Sequence, residues 1–187
     1  MKMTTQKITL AIIVFLATIQ FSQAQYGFIK GYVITNTNDT LYGEIKDRNA
    51  MPNILFERIK FKPENGGKKT SYSATQIKGY KKGDDCFESI SCFLDTAVFV
   101  KVVRDGFLTL YKYEYGSFEN TSGYGCTFLL KKQDSPCVLE LSATDFKNQL
   151  LDYFNDSNLV QDRIKEKGVN TDQLADIVSI YNQNHSK

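Results

Sequence analysis

Tyr111, Tyr113 and Tyr115 recur at every second position, with Phe107 before them and Thr109 in between. Period-two spacing on a strand puts side chains on one face. Such a row of rings can stack on sugar rings or receive an extended peptide. The same spacing suits rings that cover a sheet beneath packed helices, because aromatics in strands are favoured for the area they bury. Tyr124 and Phe128 fall where a neighbouring strand would widen the row. Cys86, Cys92, Cys126 and Cys137 are the second set of residues with chemistry to offer. Their spacing matches no C-x-x-C metal pattern, and an even count in an exported chain allows two disulfides in three connectivities. Pairing Cys86 with Cys92 and Cys126 with Cys137 closes two short local loops. A crossed pairing would tie two regions of sheet together, and four buried thiols are the remaining arrangement.

Other chemistry is sparse. The single histidine, His185, stands close to the carboxy terminus, so no Ser–His or Cys–His arrangement can be built around it. The chain contains no G-x-S-x-G, no H-E-x-x-H, no glycine-rich phosphate loop and no calcium-loop spacing. No catalytic residue, cofactor or metal site is assigned, and catalysis would have to rest on carboxylates, Lys or Tyr. Asp84 and Asp85 are adjacent, which on a strand points them to opposite faces and reads as a polar turn. The expectation is a non-enzymatic binding or protein-interaction module. The alternatives are a hydrolase using carboxylates or Tyr, or a glycan-binding module using the Tyr111, Tyr113 and Tyr115 face.

The amino terminus supplies an address. Lys2 and Lys7 flank a short charged start, an apolar run follows from Ile8 to Phe21, and Ser22-Gln23-Ala24 offers small residues for a cleavage site. This is the layout of a secretory signal peptide over residues 1–24. The run is interrupted by Thr9, Thr18 and Gln20 and is shorter than the roughly 20 apolar residues that cross a bilayer. The expected product starts at Gln25, is periplasmic or secreted, and has no membrane span after cleavage. Cleavage removes two of the 23 basic residues and none of the 21 acidic ones, leaving the charges balanced. No basic stripe remains to suggest nucleic acid. The expected partner is an envelope protein or a glycan.

The elements that must position these residues are mostly strands. Residues 25–141 read as a β-rich domain in two blocks, 25–92 and 97–141, and residues 142–187 as a helical segment. Around the Asn36-Thr37-Asn38-Asp39 cluster, Phe28–Ile34 and Leu41–Ile45 form a hairpin signal. Ile54–Phe61 carries a slip in its alternation that suggests a bulge. Pro63-Glu64-Asn65-Gly66-Gly67 is a turn, and Lys68–Tyr72, Ile77–Lys81 and Cys86–Ser91 follow as short strands. In the second block Val98–Arg104 and Phe107–Tyr115 flank Asp105-Gly106, a strong hairpin signal. Tyr124–Lys132 and Cys137–Leu141 form another pair. Ser142 with Asp145, and Asn170 with Gln173, have the form of capping boxes. Phe146, Leu150, Leu151 and Phe154, a helix over residues 158–167, and Leu174, Ile177, Val178 and Tyr181 then follow helical periodicity.

Gly31-Tyr32-Val33-Ile34-Thr35, Asn38-Asp39-Thr40-Leu41-Tyr42-Gly43-Glu44-Ile45, Tyr72-Ser73 and Ile77-Lys78-Gly79-Tyr80 together resemble a family of exported Bacteroidota proteins to which no activity is assigned. The resemblance implies export and no mechanism. The first block also has the grammar of a small SH3-like or Sm-like barrel, with an irregular antiparallel sandwich as the alternative. The expected fold class is therefore α+β: an antiparallel β-rich body, barrel-like block first and β-meander second, with two to three short C-terminal helices packed on it.

Overall fold

A computed structural model describes residues 27–47, 58–91, 94, 96–116, 124–167 and 169–185. The expected signal peptide, Cys92 and the slip between Phe56 and Ile59 lie outside these residues or at their margin. Ten strands are described: β1 (Ile29–Thr35), β2 (Thr40–Lys46), β3 (Arg58–Pro63), β4 (Thr70–Ser73), β5 (Ile77–Lys82), β6 (Asp85–Ile90), β7 (Val98–Arg104), β8 (Leu108–Gly116), β9 (Tyr124–Lys132) and β10 (Leu139–Glu140). Three helices follow: α1 (Phe146–Tyr153), α2 (Asn158–Lys167) and α3 (Thr171–His185). The protein is thus α+β, with an antiparallel sheet and short carboxy-terminal helices.

All strands join one antiparallel sheet in the order β10-β9-β8-β7-β6-β5-β1-β2-β3-β4. The sheet is not closed, and β10 and β4 stand at its edges. The two sequence blocks are continuous, because β6 pairs with β7 from Phe87 opposite Lys101 to Ile90 opposite Val98. The turns are those the residue types demand. Asn38 takes a left-handed φ of 69° between β1 and β2, and Gly83 takes 59° between β5 and β6, conformations that Asn and Gly adopt at least cost.

Pairing register assigns the two faces. Val33 lies opposite Tyr80, Tyr80 opposite Phe87, and Ile45 opposite Phe61, so these side chains share one face. Val33, Ile45, Ile59, Phe61, Tyr80, Phe87 and Phe99 are all buried there as one cluster. No helix residue belongs to that cluster. A flat single layer would leave such a face open to water, so the strands must curl over it, as strongly twisted sheets do. Gly43 permits the curl: a Cβ there would lie 2.2 Å from the Lys62 carbonyl oxygen and 2.7 Å from the Phe61 ring.

Farther along the same face, Leu108, Leu110 and Leu130 are covered by helices. They form one core with Leu150, Phe154, Val160, Ile164, Leu174, Ile177, Val178 and Tyr181. Burying each such side chain contributes about 1.5–3 kcal/mol, which is why helices too short to persist alone hold here. Asn170 and Gln173 form a reciprocal capping box, each side chain accepting the other's backbone N–H at 3.0 and 3.3 Å. The Ser142–Asp145 box does not form. The first helix starts at Phe146 with Asp145 as its cap residue, so Ser142 is too far upstream. Its N–H donates instead to Gln149 Oε1 at 2.7 Å.

Candidate ligand-binding face

The face turned away from the helices carries an open groove. Register places Tyr42 opposite Tyr32, Tyr32 opposite Lys81, and Lys81 opposite Cys86. One residue level along, Ile34 lies opposite Gly79 and Gly79 opposite Glu88. Gly79 supplies no side chain, and a Cβ there would meet the Phe87 carbonyl oxygen at 2.3 Å. The sheet is therefore bare between Ile34 and Glu88. An open groove of about 920 Å³ runs here, with Tyr32, Ile34, Gly79, Cys86, Glu88 and Val102 among its lining residues. Two turns fix one end of it. Asn36 Nδ2 donates to the Thr75 carbonyl at 3.1 Å, and Lys78 Nζ donates to Asn38 Oδ1 at 2.5 Å.

The tyrosine row is only partly what its spacing suggests. Tyr111 lies opposite Leu129 and Tyr113 opposite Thr127, while Leu110 lies opposite Leu130 on the helix-covered face. The tyrosines are thus on the face away from the helices. Tyr111 is nevertheless 3% exposed, packed with Ile90, Val98, Val100 and Leu129. Its hydroxyl donates to Glu88 Oε2 at 2.7 Å. Burial, then the Glu88 carboxylate, pushes its pKa up, and the packing leaves no ring face open to a ligand. Tyr113 is half-buried against the same cluster. The Tyr115 side chain lies outside the described residues. Phe107 does not share the row: β8 begins at Leu108, and Phe107 turns to the helix side, its ring 5.1 Å from His185.

His185 is held in a stack. Its ring lies 4.1 Å from Tyr181, and Nδ1 is 2.9 Å from the Tyr181 carbonyl oxygen. Beside this stack, Asp156 Oδ2 accepts from Lys132 Nζ at 2.8 Å and from the Tyr181 hydroxyl at 2.7 Å. Burial pushes the Asp156 carboxyl up, but those hydrogen bonds and the lysine charge outweigh it and hold it below the ordinary value. The network joins the helical segment to the end of β9 and is already satisfied. Asp85 is also spoken for, in an ion pair with Lys101 at 2.7 Å.

Cys86, Cys126 and Cys137 form no disulfide with one another. The local pairing of Cys126 with Cys137 is prevented by register. Leu139 lies opposite Leu130, which places Cys137 near the far end of β9 from Cys126. A crossed pairing from Cys86 on β6 to Cys126 on β9 would span three strand spacings, about 14 Å, against a Cα separation of about 7 Å at most. No group of three or more His, Cys, Asp or Glu able to hold a metal ion occurs among the described residues. No described helix is long and apolar enough to cross a membrane.

Sequence reasoning overlooked the Tyr32–Tyr42 pair. The two residues stand five positions either side of Thr37, the centre of the β1–β2 turn, and that symmetry was the available signal. In the structure their rings lie 5.8 Å apart and cross at 67°. The geometry defines an α+β protein with a helix-backed, curled antiparallel sheet and an open groove on its outer face. No protein-family model, curated protein or solved structure matches the chain.

Proposed function

We propose that this is an exported, non-enzymatic binding module whose ligand lies in the groove between Ile34 and Glu88. The observation that carries the reading is the groove itself, open and floored by bare backbone at Gly79. Its polar groups hold structure in place. Glu88 accepts from Tyr111, Asp105 accepts from the Gly106 N–H and from Thr109, and Lys78 bridges to Asn38. Catalysis by an acid and a base needs two such groups convergent on one reacting atom, and these are committed to separate partners. That favours recognition over the hydrolase alternative.

The strand order β5-β1-β2-β3-β4, with a short turn from Ser73 to Gln76 before β5, supports a small SH3-like or Sm-like barrel for the first block, left open beside β4. The amino-terminal pattern and the resemblance to exported Bacteroidota proteins support an envelope location, with the product starting at Gln25. Amino-terminal sequencing of the exported protein tests the location.

Capture from envelope extract tests the groove, with wild type, Ile34→Lys and Val102→Lys run in parallel and their folding checked by circular dichroism. A component retained by wild type, lost by both variants, and then shown to bind as a purified species is the expected result. Equal retention by all three proteins would remove the groove from consideration.

A further inference from the structure

We propose that Tyr42 and Tyr32, with the cleft beside them, form a subsite for a neutral saccharide chain. This rests on the binding-module reading and names its ligand class. Tyr42 is 64% exposed, more than any other large hydrophobic side chain found exposed among the described residues. Its ring is positioned by the edge contact with Tyr32. The 67° crossing prevents the two rings from covering each other face to face. A fixed, solvent-facing ring is what a pyranose stacks upon, with its apolar C–H face against the π-system.

The surrounding charges select among ligands. A cleft of about 620 Å³ beside the pair is lined by Lys30, Lys62 and Lys81 and by Glu44, Glu64 and Asp84. Three cations against three carboxylates give no net field to attract a phosphate, a nucleic acid or a charged peptide. They give instead donors and acceptors in equal number around one ring. Sugar hydroxyls both donate and accept, so a polyol matches this rim where an ion does not. Lys62 Nζ and Glu44 Oε2 are held 2.8 Å apart, which fixes one donor and one acceptor at the ring's flank.

Tyr32 lines both this cleft and the larger groove, so the two adjoin at its ring. From β2 through β1 and β5 to β6 is three strand spacings, about 14 Å. That span suits an oligosaccharide better than a single sugar. The chain would lie with one ring on Tyr42 and its remainder over Gly79 toward Glu88.

The test is titration calorimetry of the full chain against neutral linear hexasaccharides of glucose (α- and β-linked), mannose and N-acetylglucosamine, with a heparin hexasaccharide as the charged control. At least one neutral oligomer should bind, with little dependence on salt. Tyr42→Ala should weaken that binding about tenfold, Tyr42→Phe should hold it within about threefold, and Tyr113→Ala should leave it unchanged. Preference for heparin, absence of binding to every neutral oligomer, or indifference to Tyr42→Ala would each overturn the subsite. So would a Tyr42-dependent dimer in sedimentation, which would make the pair a contact between two copies. If groove variants still lose a captured envelope component while no saccharide binds, this proposal fails and the module reading stands. If Ile34→Lys is silent in every assay while Tyr42→Ala abolishes sugar binding, the subsite stands and the groove assignment fails.

Discussion

Replacing Asn182 with Ala should loosen the last helix from the sheet, and the loss can be worked from two hydrogen bonds. In an antiparallel ladder, successive residues direct their N–H and C=O to alternate sides. The Phe107 carbonyl accepts from the Gln133 N–H at 2.8 Å on the β9 side, so the polar groups of Leu108 point the other way. There β7 has already ended, its last residue Arg104 lying opposite Leu110 after a register shift. The Asn182 amide takes the place of the missing strand. Oδ1 accepts from the Leu108 N–H at 2.8 Å, and Nδ2 donates to the Leu108 carbonyl at 2.8 Å. Each bond contributes about 0.5–1.5 kcal/mol net, and the site is part-buried, so Asn182→Ala should cost about 2 kcal/mol. With a urea slope of about 2 kcal/mol/M, the midpoint should fall by about 1 M. The chain has 11 Tyr and no Trp, so far-UV circular dichroism with tyrosine emission is the assay. Asn182→Asp keeps the acceptor but sets a carboxylate against the Leu108 carbonyl, and should be no more stable than the Ala variant. A shift of less than about 0.5 kcal/mol for Asn182→Ala, the scale of an ordinary surface substitution, would refute the anchoring argument.

Leu150 is fully buried in the helix–sheet core, so Leu150→Ala should cost about 2–5 kcal/mol in the same denaturation assay. Gly31→Ala would place a Cβ against the Lys81 carbonyl oxygen of the paired strand, and should lower stability by about 3 kcal/mol or more, read as a fall in melting temperature. Asp156→Asn should cost about 1 kcal/mol at neutral pH, through the weakened bonds from Lys132 and Tyr181. Because the folded Asp156 carboxyl titrates below its ordinary value, that contribution is present above about pH 4 and is lost as pH falls further. The gap between wild type and Asp156→Asn should therefore close in acid, and a gap that widened there would contradict the assignment.

Local signals were legible and distant ones were not. Asp105-Gly106 marked the β7–β8 hairpin, and the Asn155-Asp156-Ser157 interruption set the start of α2, found at Asn158–Lys167. Asn170 with Gln173 was a true capping box because its partners are three residues apart. The pairing of β1 with β5, by contrast, joins residues 42 to 51 positions apart and leaves no mark in either strand's pattern. Asn182 reads as one more polar helix residue until Leu108, 74 residues away, is set beside it. Tyr111 and Tyr113 do share one face of β8. Their exposure was not legible, since period two reports a face and not what packs on it. Phe107 left the row because alternation holds only within a strand, and the strand begins one residue later.

The division of labour between the two faces follows from how this sheet buries its apolar side. Curling hides the β1–β7 portion and the helices hide the β8–β9 portion, so the inner face is largely packed, although Ala74, Ile77, Tyr80, Phe87 and Ala97 of that packed side also border the groove. The polar groups that reach inward are consumed there: Asp47 accepts from the Tyr80 hydroxyl and from Lys82, as a buried carboxylate must if it is not to carry a heavy desolvation cost. At the groove's end, hydrogen bonds run instead between neighbouring turns, at Asn36 with Thr75 and at Lys78 with Asn38. These ties hold the groove's mouth in shape without filling it. Side chains tied in this way need less ordering when a ligand arrives, the general route by which preorganisation favours binding. An open recess bordered by an exposed ring is therefore the feature on which the proposed recognition rests.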